Sequence, residues 1–242
     1  MKTFAVIDFE TTGLSPNLGD RVTEVGVVIL SNGQIVDSYQ SLINPDIPIP
    51  AFVQELTGIT NAMVRNAPDA ASVMHALHSF VGDTPFIAHN ASFDAKFLDA
   101  EYARAGLRRR TEFACSLLLA RRMYPDMPNH KLGTLVRFLS LPSKGDYHRA
   151  LADAEMTAHL MARMLTDLEK QLDASLVSHA ALTKLQRVPK KTFAAAIARM
   201  NEKKRKELKG TSNKIQTEEA NVRFRKYRNW TSRVVKSDWQ CA

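Results

Sequence analysis

Asp8 and Glu10 stand two residues apart in the stretch VIDFETTGL, at the end of an apolar run. Side chains alternate faces along a strand, so the two carboxylates point the same way. Like charges so placed repel one another and raise each other's pKa unless a cation neutralises them. Two later stretches hold acids in similar settings. HNASFD puts Asp94 in the first turn of a helix directly after a buried strand, and HRALADAE puts Asp153 inside a helix, five residues after His148. Taken singly, each has an ordinary reading: Asp94 as a charge complementing a helix dipole, Asp153 as an exposed helix residue. Taken together, the four acids are suited to hard divalent cations, Mg²⁺ or Mn²⁺, which take oxygen ligands and keep positions open for water and phosphate. Two such ions per site, about 3.5 to 4 Å apart, clamp the attacking and leaving oxygens of an in-line phosphoryl displacement. His148 would then serve as the base that takes a proton from the attacking water.

These residues need elements to position them. Phe4 to Phe9 reads as a buried strand, and RVTEVGVVILSNGQIVDSYQSLINP holds two more around Asn32-Gly33, a strong hairpin signal. Three antiparallel strands therefore open the fold. AFVQELTGIT reads as a short helix leading into a loop. A better helix follows Pro68 and Asp69, with an apolar face at Val73, Leu77, Phe80 and Val81. TPFIAHN is a buried strand, and Ser92 to Ala105 a helix with Phe93, Phe97 and Leu98 inward and Gly106 as its stop. ACSLLLARRMYP and HKLGTLVRFLSL read as short helices. The clearest helix begins near Arg149, where Leu151, Ala154, Ala158, Met161, Leu165 and Leu168 recur at steps of three and four and form a core stripe. The pattern is that of an α/β domain with a mixed sheet, ending near Leu172.

DFETTG, HNASFD and HRALAD resemble, in order, the three motifs of the DEDDh 3′-5′ exonucleases, the group that includes the proofreading epsilon subunit of bacterial DNA polymerase III, exodeoxyribonuclease X and ribonuclease T. The resemblance covers Thr3 to about Leu168. It implies a ribonuclease H-like mixed five-stranded sheet flanked by helices; beyond Leu172 the residue pattern and charge read as a basic, partly helical C-terminal extension. The domain would span residues 1–172 and the extension 173–242. It implies further that Asp8, Glu10, Asp94 and Asp153 hold the metals, that His148 is the general base, and that nucleoside 5′-monophosphates are released from single-stranded or frayed 3′ ends of DNA. Thr11 and Leu14 would lie against the terminal nucleotide, Leu14 as an apolar wedge by the last base. ELTGIT resembles the family's substrate loop and places Thr57 near the terminus, while Asn90 orients the second motif. For Leu14 and Thr57, plain loop packing is the competing reading. The related DEDDy pattern needs a tyrosine four residues before the last aspartate, and Arg149 stands there instead. Epsilon-like chains carry an aspartate where this one has Cys115, a segment closer to exodeoxyribonuclease X.

Composition agrees with a nucleic-acid partner. The chain of 242 residues has a net charge of +8, very unevenly placed: from Lys184 onward there are 17 Lys and Arg against 5 Asp and Glu, while the body is mildly acidic. A basic tail on an acidic body fits a polyanion. In NVRFRKYRNWTSR, Phe224, Tyr227 and Trp230 alternate with Arg223, Arg225, Lys226 and Arg228, a pattern for gripping single strands or, in the alternative, one apolar face of a docked helix. Only two cysteines, Cys115 and Cys241, and no run of 18 apolar residues point to a soluble cytoplasmic protein that meets no membrane. Three functions fit: a DNA 3′-5′ exonuclease of repair or proofreading, working alone or in a polymerase or repair complex; an exoribonuclease trimming RNA; and an idle exonuclease-like module that binds nucleic acid or a polymerase.

Overall fold

The computed structural model describes residues 2–143, 148–209 and 218. Five strands form one mixed sheet in the order β3-β2-β1-β4-β5. Strands β1 (Thr3–Thr11), β2 (Val22–Ser31) and β3 (Gln34–Leu42) are antiparallel, as their alternation and turn signal require. The turn between β2 and β3 holds Asn32 at φ 50° and Gly33 at φ 84°, the pair of left-handed residues that lets a two-residue connection match the strand twist. Strands β4 (Phe86–Ala88) and β5 (Ala114–Cys115) extend the sheet in parallel with β1. The fifth strand corrects the reading of ACSLLLARRMYP as helix throughout. Its first two residues pair with Ile87 and Ala88, a stretch too short to carry alternation.

Helices α1 (Ala51–Thr57), α2 (Asn61–Val64), α3 (Ala70–Val81), α4 (Ser92–Arg104), α5 (Ser116–Met123), α6 (Leu132–Phe138), α7 (Ala150–Glu169) and α8 (His179–Leu185) complete the unit. Asp69 starts α3 as an N-cap, its carboxylate accepting from the Ser72 amide at 2.9 Å. On one face of the sheet, Ala5, Ile7, Phe9, Val25 and Val27 pack with Val73, Met74, Leu77 and Val81 of α3 and Phe97, Leu98 and Tyr102 of α4. Helix α7 packs on β1, β2 and β3 through the expected stripe; Ala154, Ala158, Met161, Leu165 and Leu168 are all buried, and Leu151 is half-buried. A fully buried Leu or Met contributes roughly 1.5–3 kcal/mol over its exposed state, so this stripe fixes the helix that carries Asp153.

Packing runs on past Leu172, where the sequence places the end of the catalytic domain. Strand β5 is a sheet edge, and Gln186, just after α8, covers it: its Oε1 accepts from the Cys115 amide at 2.6 Å and its Nε2 donates to the Phe113 carbonyl at 3.1 Å. Residues Met1–Ala196 form one compact unit and Ile197–Ala242 a second. In the second, residues 197–209 are helical and carry the pair Lys206–Glu202 at 2.7 Å. Phe224, Tyr227 and Trp230 lie outside the described residues. Among the described residues no helix is long and apolar enough to cross a membrane.

Candidate active site

Strand β1 has an apolar face and an acidic one. Ile7, Phe9 and Thr11 are buried, while Asp8 and Glu10 between them are half-buried. Residues directly opposite in an antiparallel pair share a face. Asp8 lies opposite Gly26 and Glu10 opposite Glu24, so β2 adds a third carboxylate and a bare backbone. The bare backbone is what admits α7: a Cβ on Gly26 would sit 2.2 Å from the Leu151 nitrogen. Glu24 then anchors the helix start. Its 0% exposed side chain accepts from the Ala150 amide at 3.0 Å, Arg149 Nη2 at 2.7 Å, Arg149 Nε at 3.2 Å and Gln40 Nε2 at 2.8 Å. Reading the sequence missed Glu24, although a lone acid in the apolar run VTEVGVV, two residues from a strand glycine, was a signal.

The acid of α7 arrives where the sequence needs it. Glu10, His148 and Asp153 each present a ligand atom within 4.8 Å of the other two. His148 adopts φ 67°, a left-handed turn that a non-glycine residue holds only against about 1–3 kcal/mol of strain. In that turn its amide donates to Asp153 Oδ2 at 3.0 Å. Asp94 comes from the first turn of α4 and is 2% exposed, and its Oδ1 has no hydrogen-bond partner. The electrostatics tie the four acids together. Asp8 is pushed well above the carboxylate range, first by burial and then by repulsion from Asp94, Asp153, Glu10 and Glu24. Glu10 is raised to about 8 by burial and by Asp153, Glu24 and Asp94, with Arg149 opposing. Burial raises Asp94 to about 7 and also lifts Asp153, whose bond from the His148 amide pulls the other way. A buried, unpartnered carboxylate oxygen among mutually repelling acids is the donor set a hard divalent cation requires.

The remaining expected residues lie around this cluster in different ways. Thr11 is buried and its hydroxyl donates to the Gly13 carbonyl at 2.6 Å, shaping the loop after β1. Leu14 projects from that loop, 79% exposed. Thr57 is buried at the end of α1, donating to the Val53 carbonyl at 2.9 Å and accepting from the Ile59 amide at 3.1 Å. Asn90 is exposed at φ 67° just before α4, and its carbonyl accepts from the Phe93 amide at 2.9 Å. The structure thus gathers the four acids and His148, and it turns the two threonine hydroxyls inward to backbone partners.

A five-stranded mixed sheet with helices on both faces, carrying this acidic cluster at the end of its first strand, is the ribonuclease H-like architecture of exonucleases. The chain belongs to the RNase_T exonuclease family, whose model matches residues 5–161. It is 38% identical over 168 residues to the DNA polymerase III PolC-type of Bacillus subtilis (strain 168), and 38% identical over 167 residues to that of Caldanaerobacter subterraneus subsp. tengcongensis; each match covers 69% of this chain and 12% of the relative. The chain thus spans about an eighth of the length of these relatives. Among solved structures it is similar to exonuclease X in complex with 5′ overhanging duplex DNA, with 29% identity and a TM-score of 0.58 over 74% of this chain and 99% of that one. The nuclease domain of 3′hExo bound to rAMP, at 22% identity and TM-score 0.60 over 69% of this chain and 92% of that one, shares the fold. The family is divalent-metal dependent, which agrees with the acidic cluster.

Proposed function

We propose that this chain is a 3′-5′ exonuclease that hydrolyses the terminal phosphodiester of single-stranded or frayed DNA and releases nucleoside 5′-monophosphates. The observation that carries the reading is the convergence of Asp8, Glu10, Asp94 and Asp153 beside His148, with the proton affinities of all four raised by burial and those of Asp8 and Glu10 raised further by the neighbouring acids. Those four carboxylates would hold two Mg²⁺ or Mn²⁺ ions, which supply positive charge to the attacking and leaving oxygens. His148 accepts the proton of the attacking water on a ring nitrogen; the new bond is water oxygen to phosphorus, the broken bond is phosphorus to O3′, and the leaving oxygen is protonated from solvent. Asp153 holds the His148 backbone, and Leu14, exposed beside the loop that Thr11 shapes, lies against the terminal base, with Thr57 and Asn90 setting the loops around it.

DNA is favoured over RNA by the likeness to PolC-type polymerases and to exonuclease X on duplex DNA, and the same likeness supports a polymerase or repair complex as partner, in the cytoplasm. In this reading the division at Leu172 is one of function: residues 1–172 carry the chemistry, and 173–242 add the sheet-edge cover and basic strand-binding sequence. The test is degradation of 5′-labelled single-stranded DNA, duplex DNA and RNA of one sequence, with and without Mg²⁺, beside Asp8→Ala. Laddering from the 3′ end of DNA that needs both metal and Asp8 is the expected result. Faster loss of RNA would overturn the substrate, and an active Asp8→Ala protein would overturn the site.

A further inference from the structure

A cavity of about 500 Å³ adjoins the acidic cluster, lined by His148 and Asp153 together with Lys131, Gly133, Thr134 and Arg137 of the α6 segment. That volume is of the size that takes a small ligand. The α6 wall is well anchored. Leu135 and Val136 are buried, and the segment before it is pinned by His130, whose Nε2 lies 3.0 Å from the Tyr124 carbonyl and whose own carbonyl lies 3.0 Å from His89 Nε2. Lys131 and Arg137 are exposed on this wall, and among the described residues neither pairs with a carboxylate.

Charge balance gives these two cations a purpose. Two divalent ions would neutralise the four acids and leave no net positive charge for the rest of a polyanionic strand. Arg149, next to His148 in the chain, is committed to Glu24. Resting on the exonuclease reading above, we propose that Lys131 and Arg137 form a phosphate-binding wall that holds the backbone of a single strand immediately 5′ of the scissile bond. The strand then enters the cluster past α6, and its last linkage is presented to His148.

The experiment compares wild type, Lys131→Ala/Arg137→Ala and the charge-preserving Lys131→Arg/Arg137→Lys on a 5′-labelled single strand, and on the p-nitrophenyl ester of thymidine 5′-monophosphate, a diester with no phosphates upstream. Strand affinity is read in an Asp8→Ala background across a salt series. The double alanine variant should bind the strand at least tenfold more weakly. Each lost phosphate contact should also flatten the dependence of log affinity on log salt by about 0.7, so by roughly 1.4 for two. Its loss of kcat/KM should fall on KM and exceed the loss on the minimal diester by about tenfold, and the charge-preserving pair should restore binding. Should the alanine pair lose its melting transition, Lys131→Gln/Arg137→Gln replaces it. A wild type that degrades strands while the double variant keeps both affinity and salt slope overturns this wall and leaves the exonuclease standing. A wild type that cleaves neither substrate overturns the exonuclease reading itself.

Discussion

Helix α4 buries two acids two turns apart, and they are treated in opposite ways. Glu101, 1% exposed, accepts from Arg21 Nε at 2.7 Å and Nη2 at 3.1 Å, with Arg104 at 3.1 Å on the same carboxylate. Asp94, 2% exposed, leaves one oxygen without a hydrogen-bond partner among the described residues and lies near other acids. In the exonuclease reading proposed above, a carboxylate kept for structure comes with its cation built into the chain, and one kept for chemistry leaves the place open to a cation from solution. Burial alone does not separate the two cases, but the partner does.

The largest effect that tests this contrast is on turnover. Asp94→Asn should lower kcat by about 1000-fold or more, because it removes a charge from the metal-binding set. The same change should leave the metal-free protein as stable as before or more so, since it replaces an uncompensated buried acid. Turnover within tenfold of wild type would end the assignment. Glu101→Ala should behave in reverse. Stranding Arg21 should destabilise the fold by about 3 kcal/mol, a fall of roughly 6 to 12 °C in Tm, with catalysis persisting in the folded fraction.

Glu24 sits between these classes and sharpens the contrast. It is buried like Glu101 and paired with an arginine, yet it raises the pKa of both Asp8 and Glu10 and holds the start of the helix that carries Asp153. Glu24→Gln keeps the shape and removes the charge. Outer partners of metal ligands typically matter by about 10 to 100-fold, so metal affinity or kcat should fall within that range while the far-ultraviolet spectrum stays unchanged. A variant with wild-type metal titration and kcat would make Glu24 a plain helix anchor.

The clustering of the candidate site was more legible in the sequence than the sheet that holds it. Asp8 and Glu10 declared themselves because two acids on one strand face have no apolar explanation, and His148 and Asp153 because their step matched the motif. Helix α7 was read from its stripe. Four things were not legible. The two-residue β5 is shorter than any period. The edge role of Gln186 depends on a fold-back of more than seventy residues, which nothing local announces. The close approach of α7 to Gly26 is a contact between elements 125 residues apart, and from one chain a strand glycine has several meanings. The inward hydroxyls of Thr11 and Thr57 likewise belong to loop geometry that motif position does not carry.

The last expected effect is on the pH dependence of stability, and its sign is fixed by the same acids. Glu10 is raised to about 8 and Asp94 to about 7, whereas unfolded carboxylates release their protons near about 4. Between those limits the metal-free folded chain holds protons that the unfolded chain has already lost. Stability therefore falls as pH rises through that window, and the penalty is complete only above the folded values. A divalent cation competes with those same protons, so saturating Mg²⁺ should flatten the slope. Thermal melts of EDTA-treated protein from pH 6.5 to 8, above the window in which buried His89 and His179 make stability rise with pH, should show Tm falling with pH, less steeply in Asp94→Asn and least with Mg²⁺. A metal-free Tm that climbs above pH 6.5, and does so equally in wild type and Asp94→Asn, would mean that the acids of the cluster are already paired, and the contrast between Asp94 and Glu101 would fail.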